Sequence, residues 1–147
     1  MKRRRRNNST AKKCSYDGVD FKSKLEMYCY KALKREGIPF EYEKRKIQTL
    51  PPITDKGVFN KSHGKSQVSP KTNKVGGVIY TCDFEDCLDN PFYGFFLETK
   101  GRRNEQFSLR VKLFRHWRSK NEPHKEYFEV KNESEIEQAI QLIKQNL

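Results

Sequence analysis

Phe95-Phe96-Leu97-Glu98-Thr99-Lys100-Gly101 is the stretch on which the reading of the fold turns. Three apolar residues run into an acid and a base before a glycine stops the run. That is the pattern of a buried strand whose end reaches polar surroundings. Side chains alternate along a strand, so Glu98 and Lys100 point one way and Thr99 the other. Asp83 lies fifteen residues before Glu98, beside a second apolar segment, Gly77-Val78-Ile79-Tyr80-Thr81. If the two segments are neighbouring strands, two carboxylates and an ammonium converge on one edge of a sheet.

Facing acids at a buried edge repel and need a cation or a proton to coexist. Carboxylate oxygens suit a hard cation such as Mg²⁺ or Mn²⁺, as one or two ions, and such a cation serves phosphodiester cleavage by activating water. Lys100 then orients the water or stabilises charge on the phosphate. The plainer reading is that both acids terminate strands, with Lys100 as their counter-ion. Asp86 is the other acid nearby and reads as a non-ligand whose removal leaves activity intact.

Working outward, a helix is expected from about 23 to 36, with Leu25, Cys29, Ala32 and Leu33 at helical spacing and Gly37 ending it. Ser23-Lys24-Leu25-Glu26 is a capping box in which Glu26 reaches back to the Ser23 N–H. Pro39 forbids continuation, and Phe40 to Ile47 reads as a strand. Residues 48–76 read as a long basic loop insertion, with Pro51-Pro52 and Lys56, Lys61, Lys65, Lys71 and Lys74 against Asp55. Strands are expected at about 77–84 and 92–100, joined by an acidic turn from Glu85 to Asn90. A helix at about 105–120 with Leu109, Leu113, Phe114 and Trp117 on one side, and a strand from Lys125 to Val130, follow. Ser134 is expected to cap a last helix carrying Ile136, Ile140, Ile143 and Leu147. The predicted order is α-β-β-β-α-β-α, an α/β fold with a small mixed sheet flanked by helices.

The chain has 147 residues and a net charge of +12, 34% of it hydrophobic, which predicts one domain over 16–147 with a modest core. Residues 1–15 read as a disordered basic arm. The first 13 residues hold seven positives, Lys2, Arg3, Arg4, Arg5, Arg6, Lys12 and Lys13, and no acids. The remainder carries 24 Lys and Arg against 19 Asp and Glu. Such a balance suits a polyanion partner. No apolar run is long enough to span a bilayer, and no hydrophobic segment follows the basic N-terminus, so no membrane partner is expected. Cys14, Cys29, Cys82 and Cys87 lack zinc-type spacing and read as free thiols of a reducing cytoplasm.

Four segments together resemble the PD-(D/E)xK nuclease superfamily, and within it the phage endonuclease I family of Holliday-junction resolving enzymes. They are Phe21-Lys22-Ser23-Lys24-Leu25-Glu26, Gly37-Ile38-Pro39-Phe40-Glu41-Tyr42-Glu43, Tyr80-Thr81-Cys82-Asp83-Phe84 and Phe96-Leu97-Glu98-Thr99-Lys100-Gly101, spanning about 16–101. Cys82 stands where the family motif has proline, and Glu85 to Pro91 lengthens the interval before Glu98. The resemblance implies a restriction-endonuclease-like core, with Asp83 and Glu98 as metal ligands, Lys100 as the catalytic lysine, and Glu26 as an assisting metal-site glutamate. It also implies hydrolysis leaving a 5′-phosphate, an intertwined homodimer, branched DNA as substrate, and a phage-infected or prophage-bearing bacterial cell.

Arg102, Arg103, Arg110, Lys112, Arg115 and Arg118 crowd the region after the motif with Glu105 as the acid among them, a pattern that fits phosphate contacts. His63, His116 and His124 have no partner at ligand spacing, and most aromatics read as core. A restriction-like or nicking enzyme of a mobile element on linear duplex, and a non-catalytic DNA-binding module, remain open as alternatives.

Overall fold

In the computed structural model, which describes residues 13–60 and 68–147, the elements in chain order begin β1 (Cys14–Tyr16), β2 (Val19–Phe21), α1 (Lys24–Arg35), β3 (Phe40–Tyr42), β4 (Ile47–Leu50), β5 (Ile53–Asn60) and β6 (Val68–Val75). They continue β7 (Val78–Tyr80), β8 (Phe84–Asp86), β9 (Gly94–Thr99), α2 (Glu105–Asn121), β10 (Lys125–Val130) and α3 (Glu133–Asn146). The architecture is mixed α/β, with small sheets and three helices among the described residues.

Local chemistry accounts for the boundaries. The Asp17-Gly18 pair takes left-handed backbone at φ 55° and 74°, which closes β1 onto β2 as a tight hairpin. Ser23 caps α1 by accepting the Glu26 N–H. The helix ends where Gly37 turns left-handed, with Gly37 N–H donating to Lys34 O and Ile38 N–H to Leu33 O. Asn132, rather than Ser134, caps α3: its Oδ1 accepts from Glu135 N–H while Glu135 accepts from Lys131 N–H.

The described residues form two compact units. The first comprises residues up to Lys44, with 82–102 and 124–147. Its sheet runs β10-β9-β8-β3, with β10 parallel to β9 and the other pairs antiparallel. Phe84, Phe95 and Leu97 of that sheet share one core with Cys29 and Leu33 of α1 and Ile136, Ile140 and Ile143 of α3. Leu147 of the expected stripe stays exposed.

The second unit holds residues 45–81 and 103–123. Here β4 pairs antiparallel with β7, and α2 packs on both. The Tyr80 and Phe114 rings stack 4.3 Å apart, and Arg45 forks onto Glu122 at 2.8 and 2.9 Å. The buried side of α2 is Phe107, Val111 and Phe114, whereas Leu109 is exposed. β5 and β6 pair over eight residues each, from Ile53↔Val75 to Asn60↔Val68, and form a separate two-stranded sheet.

Several expectations need correction. The segment 48–76 contains strands rather than one loop; its Lys61 and Lys65 lie outside the described residues. The predicted strand at 77–84 is two strands, because the chain leaves β7 before Cys82 and re-enters a different sheet at Phe84. Glu85 and Asp86 therefore belong to β8 and not to a turn. The strand expected from Phe40 to Ile47 is likewise divided, at Glu43 with φ 45°. Of the expected arm, residues 1–12 lie outside the described residues, while Cys14 and Ser15 belong to β1.

Candidate functional site

Asp83 precedes β8, and the ladders on either side fix its neighbours. Phe84↔Leu97 ends the ladder of β8 and β9, so Asp83 and Glu98 each lie one residue beyond that pair on their own segments. On the other side the Glu43 N–H donates to Asp83 O at 2.8 Å. Glu98 in turn is the register partner of Glu129 on β10. Asp83 is thus bonded to Glu43 through the backbone, while Glu98 pairs with Glu129. Lys100 extends β9, its N–H donating to Val130 O at 2.8 Å.

Asp83 and Glu98 are both buried. Asp83 Oδ2 accepts two hydrogen bonds from Thr99, at 2.8 Å from its N–H and 2.7 Å from its hydroxyl. Burial pushes the Asp83 carboxyl up to about 6 against those two bonds, and the charges of Glu26 and Glu43 push in the same direction. The site therefore holds negative charge against a desolvation penalty.

Glu26 reaches this cluster from the first turn of α1. Its Oε2 accepts from Lys22 N–H at 3.1 Å and from the Tyr42 hydroxyl at 2.8 Å, and its Oε1 from the Ser23 hydroxyl at 3.2 Å. The capping interaction exists, but the backbone donor is Lys22 rather than Ser23. Burial, then the bond to Glu26, hold the Tyr42 hydroxyl well above its usual range. The Lys22 ammonium pairs with Glu43, which raises its pKa, and Glu26 and Asp83 add to that rise. Glu26, Glu43, Asp83 and Lys22 thus interact electrostatically.

Asp86 is built differently. It accepts from Phe95 N–H at 3.0 Å and pairs with Lys125 at 3.1 Å, with its side chain fully buried. A side chain at Gly94 would meet Asp86 Oδ2 at 2.6 Å, so the glycine makes room for this pair. Asp86 is a structural ion pair of the sheet.

Among the described residues no three His, Cys, Asp or Glu side chains already converge as a metal-holding group. Buried carboxylates, with the charges of Glu26 and Glu43 acting on Asp83, are oxygen donors of the kind a hard dication takes. The four cysteines are free thiols, and burial pushes Cys29 and Cys82 well above the usual thiol range.

Arg102 is exposed in the first unit, and Arg103, Arg110, Lys112 and Arg115 are exposed in the second. Arg3, Arg4, Arg5 and Arg6 lie outside the described residues. Charge is divided sharply between the units. The second holds 13 Lys and Arg against 3 Asp and Glu, a net +10. The first, from residue 14 on, holds 11 against 16, a net −5. No helix of the described residues is long and apolar enough to cross a membrane.

Sequence reasoning missed Glu43, Tyr42, Lys22 and Thr99 as members of the cluster. The first three sit in segments already singled out, where Glu41-Tyr42-Glu43 was a visible acid–aromatic pattern. Compared with known proteins, the chain matches no family model, no curated protein and no solved structure.

Proposed function

We propose that the chain is a metal-dependent DNA endonuclease with a restriction-endonuclease-like core, acting on branched DNA as a homodimer. The observation that supports this reading is the antiparallel β8–β9 ladder, whose end pair Phe84↔Leu97 adjoins both Asp83 and Glu98, with Glu26 in electrostatic reach of Asp83 and Lys100 two residues after Glu98. Asp83, Glu98 and Glu26 would hold Mg²⁺ or Mn²⁺, which when bound supplies an activated water and neutralises charge at phosphorus. Thr99 fixes Asp83 in one orientation and Tyr42 fixes Glu26. Lys100 stabilises the developing phosphate charge. The net +10 of the second unit supplies phosphate affinity without sequence readout. A resolving enzyme must cut two opposed strands, and two-fold symmetry is the common way to present two copies of a site.

The test is incubation with Mg²⁺ and a matched set of four-way junction and linear duplex DNAs, with the mass of the free chain measured by light scattering. Junction cleavage by a dimer is expected, abolished by Asp83→Ala and by Glu98→Ala, while both variants still bind DNA in Ca²⁺. Equal cutting of linear duplex by a monomer would replace this reading with the restriction-like one. Binding without cutting under any divalent cation would leave a DNA-binding module.

A further inference from the structure

We propose that the β5–β6 ribbon is a docking arm that enters the major groove of duplex DNA. This deepens the DNA-directed reading above and rests on it, naming a surface in the second unit, whereas Asp83 and Glu98 belong to the first.

Three observations support the assignment. The ribbon is two antiparallel strands in unbroken register over eight pairs, and among the described residues it forms a two-stranded sheet by itself. At about 3.4 Å per residue it extends roughly 24 Å, and the major groove, about 12 Å wide, admits a two-stranded ribbon. Its charge suits a polyanion: Lys56 and Lys74 are both exposed, and the pairs Thr54↔Lys74 and Lys56↔Thr72 set them diagonally on one face. Lys71 adds to the count, and Asp55 is the acid of the two strands. At its base, Ile53 and Val75 are register partners and remain 56% and 43% exposed, an apolar pair that sugar or thymine methyl groups can cover.

An isolated two-stranded ribbon is marginally stable by itself, so an outside surface would stabilise it. A second copy adding edge to edge is the other candidate. Pro70 within β6 removes a backbone donor, and lysines along both strands repel a like ribbon, the features by which edges resist self-pairing. The same lysines favour phosphate.

The test uses the full-length chain, Ca²⁺ in place of Mg²⁺, and a short duplex DNA. One variant is Lys56→Glu with Lys74→Glu. A second replaces residues 54–74 by two glycines, joining Ile53 to Val75, which are already register partners. The charge reversal is expected to weaken duplex binding at least about tenfold and to lower the log–log salt slope by about 2, at ~0.9 per phosphate contact. The ribbonless chain is expected to lose protection of guanine N7 against dimethyl sulfate. Unchanged affinity, slope and N7 protection in the charge-reversed chain would overturn the proposal, whether or not the ribbonless chain folds. So would a ribbonless chain that changes oligomeric mass while binding duplex as before, since the ribbon would then contact protein. A chain that docks through the ribbon yet cuts no DNA in Mg²⁺ refutes the nuclease reading and supports this one.

Discussion

Thr99 donates both its backbone N–H and its hydroxyl to a single oxygen, Oδ2 of Asp83. Two donors on one oxygen leave Oδ1 as the atom of Asp83 available to a ligand. They also oppose a burial that raises the carboxyl from 3.8 to about 6. A buried acid held partly ionised is destabilising in the free protein.

A pH-dependent stability follows. Asp83 has a folded pKa above its unfolded value, so the folded chain binds more protons than the unfolded one between about 4 and about 6. Its contribution is fully present below that window and is lost as pH rises through it. Asp83→Asn removes the titration and keeps an acceptor for Thr99. In EDTA the variant should therefore melt higher than wild type at neutral pH, by on the order of 2 kcal/mol, and the gap should close toward pH ~4. Thermal melts at both ends of the window measure it.

Asp86→Ala tests the distinction between the two acids. From sequence it reads as a harmless control; its buried pairing with Lys125 makes it a structural lesion instead. Removing one partner of a buried pair strands the other, at a cost of about 3–5 kcal/mol. Denaturant unfolding should show a loss of that size. If Asp86→Ala unfolds like wild type, the Lys125 pair contributes nothing.

Glu26→Gln separates capping from catalysis. Glutamine keeps an acceptor for Lys22 N–H or the Tyr42 hydroxyl but is a poor ligand for a hard cation. Stability is expected to change by under about 1 kcal/mol, with Mg²⁺-dependent cleavage strongly reduced. Wild-type cleavage by this variant would confine Glu26 to its helix cap.

Removing residues 1–12 takes away six Lys and Arg and none of the proposed ligands. Binding to all DNAs should weaken alike, the salt slope falling by ~0.9 for each lost contact, with cleavage at saturating protein retained. An unaltered slope would show that these residues do not touch DNA.

Much of this architecture is legible in the sequence where local chemistry decides it. Ser23 and Gly37 mark α1, and the alternation from Lys125 to Val130 marks β10, because caps, left-handed glycines and apolar periods act over a few residues. The β5–β6 ribbon escapes that logic, because the sequence from Ile53 to Val75 carries no apolar alternation to find. Only the Asp17-Gly18 dipeptide could have revealed β1 and β2. In the candidate site, spacing singles out Asp83, Glu98 and Lys100, and β8, which Asp83 precedes, pairs with β9, which carries Glu98. The bonds from Thr99, and the left-handed Glu43 that faces Asp83, depend on where strands break and could not be read from spacing.

The interleaving of the two units has a consequence for synthesis. The chain passes from one unit to the other at residues 44–45, 81–82, 102–103 and 123–124. Val130, Ile136, Ile140 and Ile143 are made after both stretches of the second unit, and they complete the core that Phe21, Leu33 and Phe84 begin. Until β10 and α3 leave the ribosome, the first unit lacks its parallel edge strand and a helix of its core, so α1 and β8 wait on residues that follow the whole of the second unit.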